Sequence, residues 1–468
     1  MKFEEMPYSR IDMEAVRKDF ADLEKRFTEA DSGEKQFAVH QDYYKIIGHI
    51  MTESTLAEIR HDIDMTDEFY KGEQDFYDAV MPDIQNLNVR YQKMLFHSKF
   101  RPYLEEKIGK VAFKNIELAM KSVDEKILPL MQEENKLQSG YNQLLATAKI
   151  DWNGETLNLS LMNPYLHSPD RAVRVEAWKK YSAFFSAHKE ELDDFYDKLV
   201  KCRTKQAEQM GYKNYLGLGY CRMMRNCYTR SDIAEFRRQV KQDFVPFAEQ
   251  LHERRRQRLG LSSLHFEDEG VYFQNGNPAP IGTPEEILEA GRKMYRELSP
   301  ETGKFMDFMC DNHLFDVIGR RTKKTGGYMT YLPDYKAPFI FANFNGTSGD
   351  ADVITHECGH AFQGWIVADD PIREHADITM ETAETHSMSM EFFTEPWMNL
   401  FFGARAKDYV DMHFEDSCCF IPYGTMVDEF QDIIYDDPSL DPKTRNEVWR
   451  DLERQYKPHL DYSGNDYY

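Results

Sequence analysis

The residues with the clearest chemical potential are His356, Glu357, Cys358, Gly359 and His360, an HExxH pentad. On a helix, residues four apart are neighbours on one face. Two imidazoles so placed can share one tetrahedral Zn2+ at roughly 2.0–2.1 Å each. Glu357 directly follows the first of them, where a carboxylate can take a proton from a water that the ion has acidified. That chemistry is attack of water on a carbonyl carbon, hence peptide hydrolysis without a covalent intermediate. Cys358 reads as a small buried filler. Gly359 is a poor helix former, suited to a point where substrate or another backbone must come close.

A catalytic zinc needs a third protein ligand and an open position. A histidine six residues beyond His360 is ruled out, because that position is Ile366. The segment 379–398, TMETAETHSMSMEFFTEPWM, offers carboxylates instead. Glu381, Glu384 and Glu391 share a helical face with Met388, and spacing alone leaves all three open as ligands. His386 follows Glu384 too closely to face the same way and is expected to pack or to support. His375, in the preceding loop, is a candidate substrate contact.

These groups need elements to hold them. Tyr328–Leu332 and Phe339–Phe344 have strand composition and flank a Pro-containing connector, so a small antiparallel element is expected directly upstream of the pentad. Asn345-Gly346-Thr347-Ser348-Gly349 breaks the chain before a helix whose first turn Asp350 or Asp352 can serve. A second β signal is the turn dipeptide Asn153-Gly154, followed by alternating Leu157, Leu159 and Leu161.

The remainder reads as helix. Val16, Phe20, Leu23 and Phe27 form one apolar stripe, interrupted by Asp31-Ser32-Gly33. Leu192, Phe195, Tyr196 and Leu199 form another. Asp232 to Leu259 is a long helix ending in Arg254-Arg255-Arg256, read as a solvated helix end that the dipole favours. Thr283-Pro284-Glu285-Glu286 is a helix start with a capping box. The fold class is therefore mainly α, organised as an N-terminal helical lobe (1–148), a connecting hairpin and helices (149–230) and a catalytic region (231–468).

Composition narrows the function classes. The 468 residues are 41% hydrophobic and 13% aromatic, which excludes a disordered chain. A net charge of −23 argues against nucleic acid or an anionic membrane as partner. No run approaches the roughly 20 apolar residues of a membrane span, and the start, MKFEEMPYSR, lacks the apolar stretch of a secretory signal. Seven cysteines, an odd number without a CxxC pair, point to reduced thiols in a cytoplasmic protein.

HECGHAFQ, AETHSMSMEFF and the upstream GGYMTYLPDYKAPFIFANFNGTSGD together resemble the M3 family of zinc oligopeptidases, most closely its oligoendopeptidase F and Pz-peptidase branch. The resemblance is strongest from about 326 to 396. It implies an elongated, two-lobed helical body with a deep channel that admits short unfolded peptides. It implies one Zn2+ per chain held by His356, His360 and Glu384, with Glu357 as general base and Glu391 orienting a ligand histidine. It further implies that the Phe339–Asn345 run is an edge strand receiving an extended peptide, with Phe341, Ala342 and Asn343 near substrate; Tyr328, just after Gly326-Gly327, is a candidate either to line the channel near substrate or to pack. Members of the family continue beyond the position of Tyr468 with a His- and Tyr-rich motif near the scissile carbonyl. His459 and the closing Tyr467 and Tyr468 do not match that motif. The expectation is a chain that lacks this end, whose exposed core is covered by self-association or by a complementing C-terminal fragment. A competing reading is a helical peptide-binding scaffold that retains zinc without turnover.

Overall fold

The computed structural model describes residues 1–463, so Tyr467 and Tyr468 lie outside the described residues. Helices follow the apolar stripes. In Met13–Glu29 the buried side chains are Val16, Phe20, Leu23 and Phe27, and Asp12 caps the start by accepting from the Glu14 amide. The interruption after it is a second cap: Ser32 begins the Gly33–Ile63 helix. Glu68–Phe96 packs on both to close an N-terminal core around Phe20, Phe27 and Tyr91.

β1 (Ile150–Trp152) and β2 (Glu155–Leu157) form the expected hairpin. Its two turn residues, Asn153 and Gly154, both take positive φ, 53° and 86°, as a two-residue type I′ turn requires. The alternation stops at Leu157, because Ser160–Met162 is already a 3₁₀ turn.

Arg230–Leu259 is continuous helix with a π turn at Val240–Phe244. Its basic end departs from the sequence reading. Arg255 is 1% exposed. Its Nε donates to Glu415 Oε1 at 2.5 Å, and its guanidinium lies 3.8 Å from the centroid of the Tyr272 ring. Only a partner far along the chain makes this burial affordable, which is why local sequence gave no sign of it. The capping box at Thr283 is present: Glu286 accepts from the Thr283 amide at 2.7 Å, and Thr283 accepts from the Glu286 amide at 3.3 Å.

The second sheet is mixed and has three strands. β4 (Tyr328–Leu332) runs antiparallel to β5 (Ala337–Phe344), pairing Tyr328 with Phe341 and Leu332 with Ala337. β3 (Phe315–Ile318), too short to announce itself in the sequence, runs parallel to β5. The order β3-β5-β4 makes β5 the central strand. The expectation of a free edge at Phe339–Asn345 is therefore corrected: the free edge facing outward beside this hairpin belongs to β4. Lys323 stitches the sheet from a buried position, donating to Asp316 Oδ1 at 2.7 Å and to the Ala342 carbonyl.

β5 packs under the HExxH helix, Gly349–Ile366, within one core that includes Phe339, Ile340, Ile354, Cys358 and Ala361. Among the described residues no helix is long and apolar enough to cross a membrane. None of the seven cysteines is in a disulfide.

Candidate active site

The HExxH helix is anchored at its start by Asp350, whose carboxylate accepts from the amides of Asn345 and Gly346 at 2.9 Å each. One side of the helix, Ile354, Cys358 and Ala361, is fully buried. The other side carries His356, Glu357 and His360 into a cleft of about 890 Å³, which Gly327, Met329 and Tyr331 also line. Amphipathicity thus does the positioning: the core fixes the buried face, and the polar face must open on the cleft.

The Met380–Thr394 helix crosses the first one at Gly359. A Cβ there would stand 2.7 Å from Ser387 Cα and 3.0 Å from the His386 carbonyl oxygen. The close approach expected at this glycine is made by another backbone. It carries Glu384 to the histidines. Glu384 Oε2 lies 3.2 Å from His356 Nε2 and 3.8 Å from His360 Nε2. The two rings are 5.0 Å apart at 84°. Tetrahedral ligands at roughly 2.0–2.1 Å are about 3.4 Å from one another, so these separations suit a shared cation. Three donors, two neutral nitrogens and one carboxylate, would hold it and leave a fourth position free. Of the three carboxylates that spacing left open, Glu381 turns away to Tyr228 and Arg225.

Glu391 bonds His356 Nδ1 at 2.5 Å and also bonds His413 Nε2. His413 comes from the Ala406–Asp436 helix. Nothing in its local sequence marks it, because its partner lies in a different helix. Loss of hydration raises the carboxyl pKa of half-buried Glu357, with the Met329 amide opposing. Burial lowers the pKa of His360. For His356, burial also disfavours charge, but the bond to Glu391 outweighs it and leaves the pKa raised. Burial likewise works against a charged Glu391, yet its two histidine partners hold its pKa down. The arrangement keeps a carboxylate behind one imidazole and a more basic carboxylate beside the cation position.

The remaining candidates divide. Tyr328 borders the cleft, but its hydroxyl donates to Asp62 at 2.9 Å and its ring stacks on Phe341. Phe341 and Ala342 are 0% exposed, because β5 is central and covered by the HExxH helix. Asn343 donates to the carbonyls of Lys324 and Gly326 at 2.9 and 2.8 Å, which closes the loop before β4. Phe341, Ala342 and Asn343 are thus placed behind β4 rather than at its free edge. His375 bonds Asp370 through Nδ1 at 3.0 Å, next to Arg373 and Ala376, which line the cleft.

Comparison with known proteins agrees with this picture. Residues 3–123 match the model of the peptidase M3 N-terminal domain, and residues 304–468 match that of peptidase family M3. A crystal structure of an oligoendopeptidase F superposes with a TM-score of 0.98 at 44% identity, covering 100% of this chain and 83% of that one. A Pz-peptidase A solved with an inhibitor gives the same figures. An oligoendopeptidase F from Bacillus anthracis is 43% identical, with a TM-score of 0.96, over 100% of this chain and 85% of its own. A search of curated proteins returned no match. The chain belongs to peptidase family M3, and it is a metalloendopeptidase.

Proposed function

We propose that the chain is a zinc endopeptidase of short unfolded peptides, with His356, His360 and Glu384 holding the ion and Glu357 acting as general base. The observation that carries this reading is the Glu384 carboxylate placed against both imidazoles of one helical turn, with Glu357 between them in sequence. The bound ion would acidify a water molecule and polarise the scissile carbonyl. Glu357 would take the proton from that water at its carboxylate and return it to the leaving amine. Its raised pKa suits both halves of the transfer, since a base too acidic holds no proton to give back. Glu391 would fix the ring orientation of His356 and strengthen it as a donor.

Substrate binding follows from the sheet order. β4 is an outer strand whose residues border the cleft, so an extended peptide can add to its free edge. Main-chain hydrogen bonds of that kind demand little of the peptide sequence. The walls come from several segments, including Tyr44 in the N-terminal helices and Arg373 in the loop before the glutamate helix.

The test uses a quenched peptide together with metal analysis. Glu384→Ala should lose Zn2+ on dialysis and activity with it. Retention of zinc and of turnover by that variant would remove Glu384 from the site.

A further inference from the structure

Among the described residues four that are not glycine take positive φ: Asn153, Met224, His313 and Lys336. Left-handed backbone is costly for an L side chain, least so for asparagine. Asn153 stands in the hairpin turn, where its type is favoured. His313 and Lys336 use their side chains, bonding Glu4 at 2.8 Å and Asp369 at 2.5 Å. Met224, at φ 51°, has no such bond to make.

Its backbone ends a helix. After Tyr215–Arg222, the Arg225 amide donates to the Tyr220 carbonyl and the Met224 amide to the Cys221 carbonyl, each at 3.1 Å. That pair of bonds is a Schellman motif, which favours glycine at the position Met224 holds. Two other helices of this chain, Lys189–Met210 and Val245–Leu259, do close on a left-handed glycine, Gly211 and Gly260. A methionine in that place serves the helix end poorly, so the reason for it lies where its side chain goes.

That side chain packs into none of the apolar clusters of the described residues. It lines the cleft of the HExxH helix together with Met380, Ala383 and Glu384. Met380 is 66% exposed. The loop that carries Met224 is fastened on two sides. Arg225 Nε lies 3.5 Å from Glu381 Oε1, and Tyr228 donates to the same carboxylate. Glu381 is one turn before Glu384 on the Met380–Thr394 helix. On the other side, Asn226 donates to Asn115 Oδ1 at 2.7 Å, and its carbonyl accepts from Lys114 Nζ at 3.0 Å. Arg225 is further engaged by Asp428 at 3.5 Å and by the Tyr220 ring, 4.4 Å from its centroid. It therefore brings no unpaired cation to this corner. What the loop presents to the cleft is a thioether chain, apolar and adaptable in shape.

Building on the peptidase reading above, we propose that Met224 is a specificity-determining residue: with Met380 it forms the subsite for a large apolar side chain of the peptide near the scissile bond. The left-handed backbone is the cost of aiming that side chain from a loop held against the glutamate helix.

Quenched peptides that differ only in Ala, Leu or Phe, at each of the two positions on either side of the cleaved bond, test this. At one of those positions the parent should show a kcat/KM for Leu or Phe at least about tenfold above that for Ala. Met224→Gly and Met224→Ala should both bring that ratio to within about threefold, and Met224→Leu, of similar volume, should keep it. The two truncations separate side chain from backbone. Met224→Gly relieves the left-handed conformation and should have a higher Tm than Met224→Ala, although both lose the preference. Fluorescence anisotropy of the same peptides, labelled, with zinc-loaded Glu357→Gln gives the ratio as a binding ratio without turnover. A parent that cleaves the Ala, Leu and Phe peptides alike overturns the proposal and leaves the peptidase reading standing. A parent that cleaves none overturns that reading, and the binding ratio then decides the subsite alone. A binding ratio near one, or a preference that Met224→Gly and Met224→Ala both retain, overturns the subsite.

Discussion

His356, His360 and Glu384 lie at the wall of a cleft, with Glu357 beside them and Glu391 behind His356. His252, Glu269 and His459 lie where the Val245–Leu259 helix meets the chain after the Pro442–Tyr456 helix, beside a cavity of about 830 Å³, with Lys457 and Arg255 against them. The donor atoms are the same in kind. Their neighbours differ in sign. Against the first group stand the carboxylates of Glu357 and Glu391, which favour a cation. Against the second stand a lysine and an arginine, which weaken cation binding. The contrast teaches that two histidines and a glutamate do not define an activity. The free carboxylate of Glu357, the open wall of the cleft and the outer strand β4 set the first group apart.

The largest break in the comparison should come from Glu357→Gln. It should keep its zinc and lose about 10²–10⁴-fold in kcat on a quenched peptide, the range for a positioned acid–base group. His252→Gln/His459→Gln should leave kcat unchanged in the same assay. Next is Glu391→Ala, which removes the support behind His356. A loss of about 10–100-fold in zinc affinity or activity is expected, measured by competition with a chelator. A variant that binds zinc as tightly as the parent would show that the orientation of His356 does not depend on Glu391.

Gly359→Ala comes third. Its Cβ meets Ser387 Cα rather than a flexible side chain tip, so the helices must separate. The cost should be about 1–3 kcal/mol, read as a lower Tm and faster zinc release. Asp352→Asn is the smallest. Asp352 sits one turn before His356 and borders the cavity of the second cluster. Loss of hydration pushes its carboxyl up to about 6, against about 3.9 in an unfolded chain. The folded state therefore holds the proton more tightly. The resulting stabilisation is present below the unfolded value and is lost as pH rises through 6. Asn cannot ionise, so Asp352→Asn should change Tm little near pH 4 and raise it at pH 8, by at most about 3 kcal/mol in stability. Urea unfolding at the two pH values measures it.

What the sequence discloses here is what is local. The pentad, the capping box at Thr283, the Asn153-Gly154 turn and the stripe from Val16 to Phe27 all lie within a few residues of their own cause. Gly359 is a partial case: its type foretells a close approach, and only the crossing helix shows that Ser387 makes it. The role of β5 is not local. Its composition says strand, but β3 and β4 decide that it lies at the centre, and so Phe341 and Ala342 are hidden while β4 keeps the free edge. Arg255, His413 and the second cluster fail to show for the same reason. Each depends on partners brought from distant parts of the chain, which no window of the sequence contains.

The most direct measurement is anomalous diffraction at the zinc absorption edge from crystals of the zinc-loaded protein. The account predicts a peak bonded to His356 Nε2, His360 Nε2 and Glu384, with no fourth protein donor and the Glu357 carboxylate facing the free position. No peak there, or a fourth protein ligand filling that position, would contradict it.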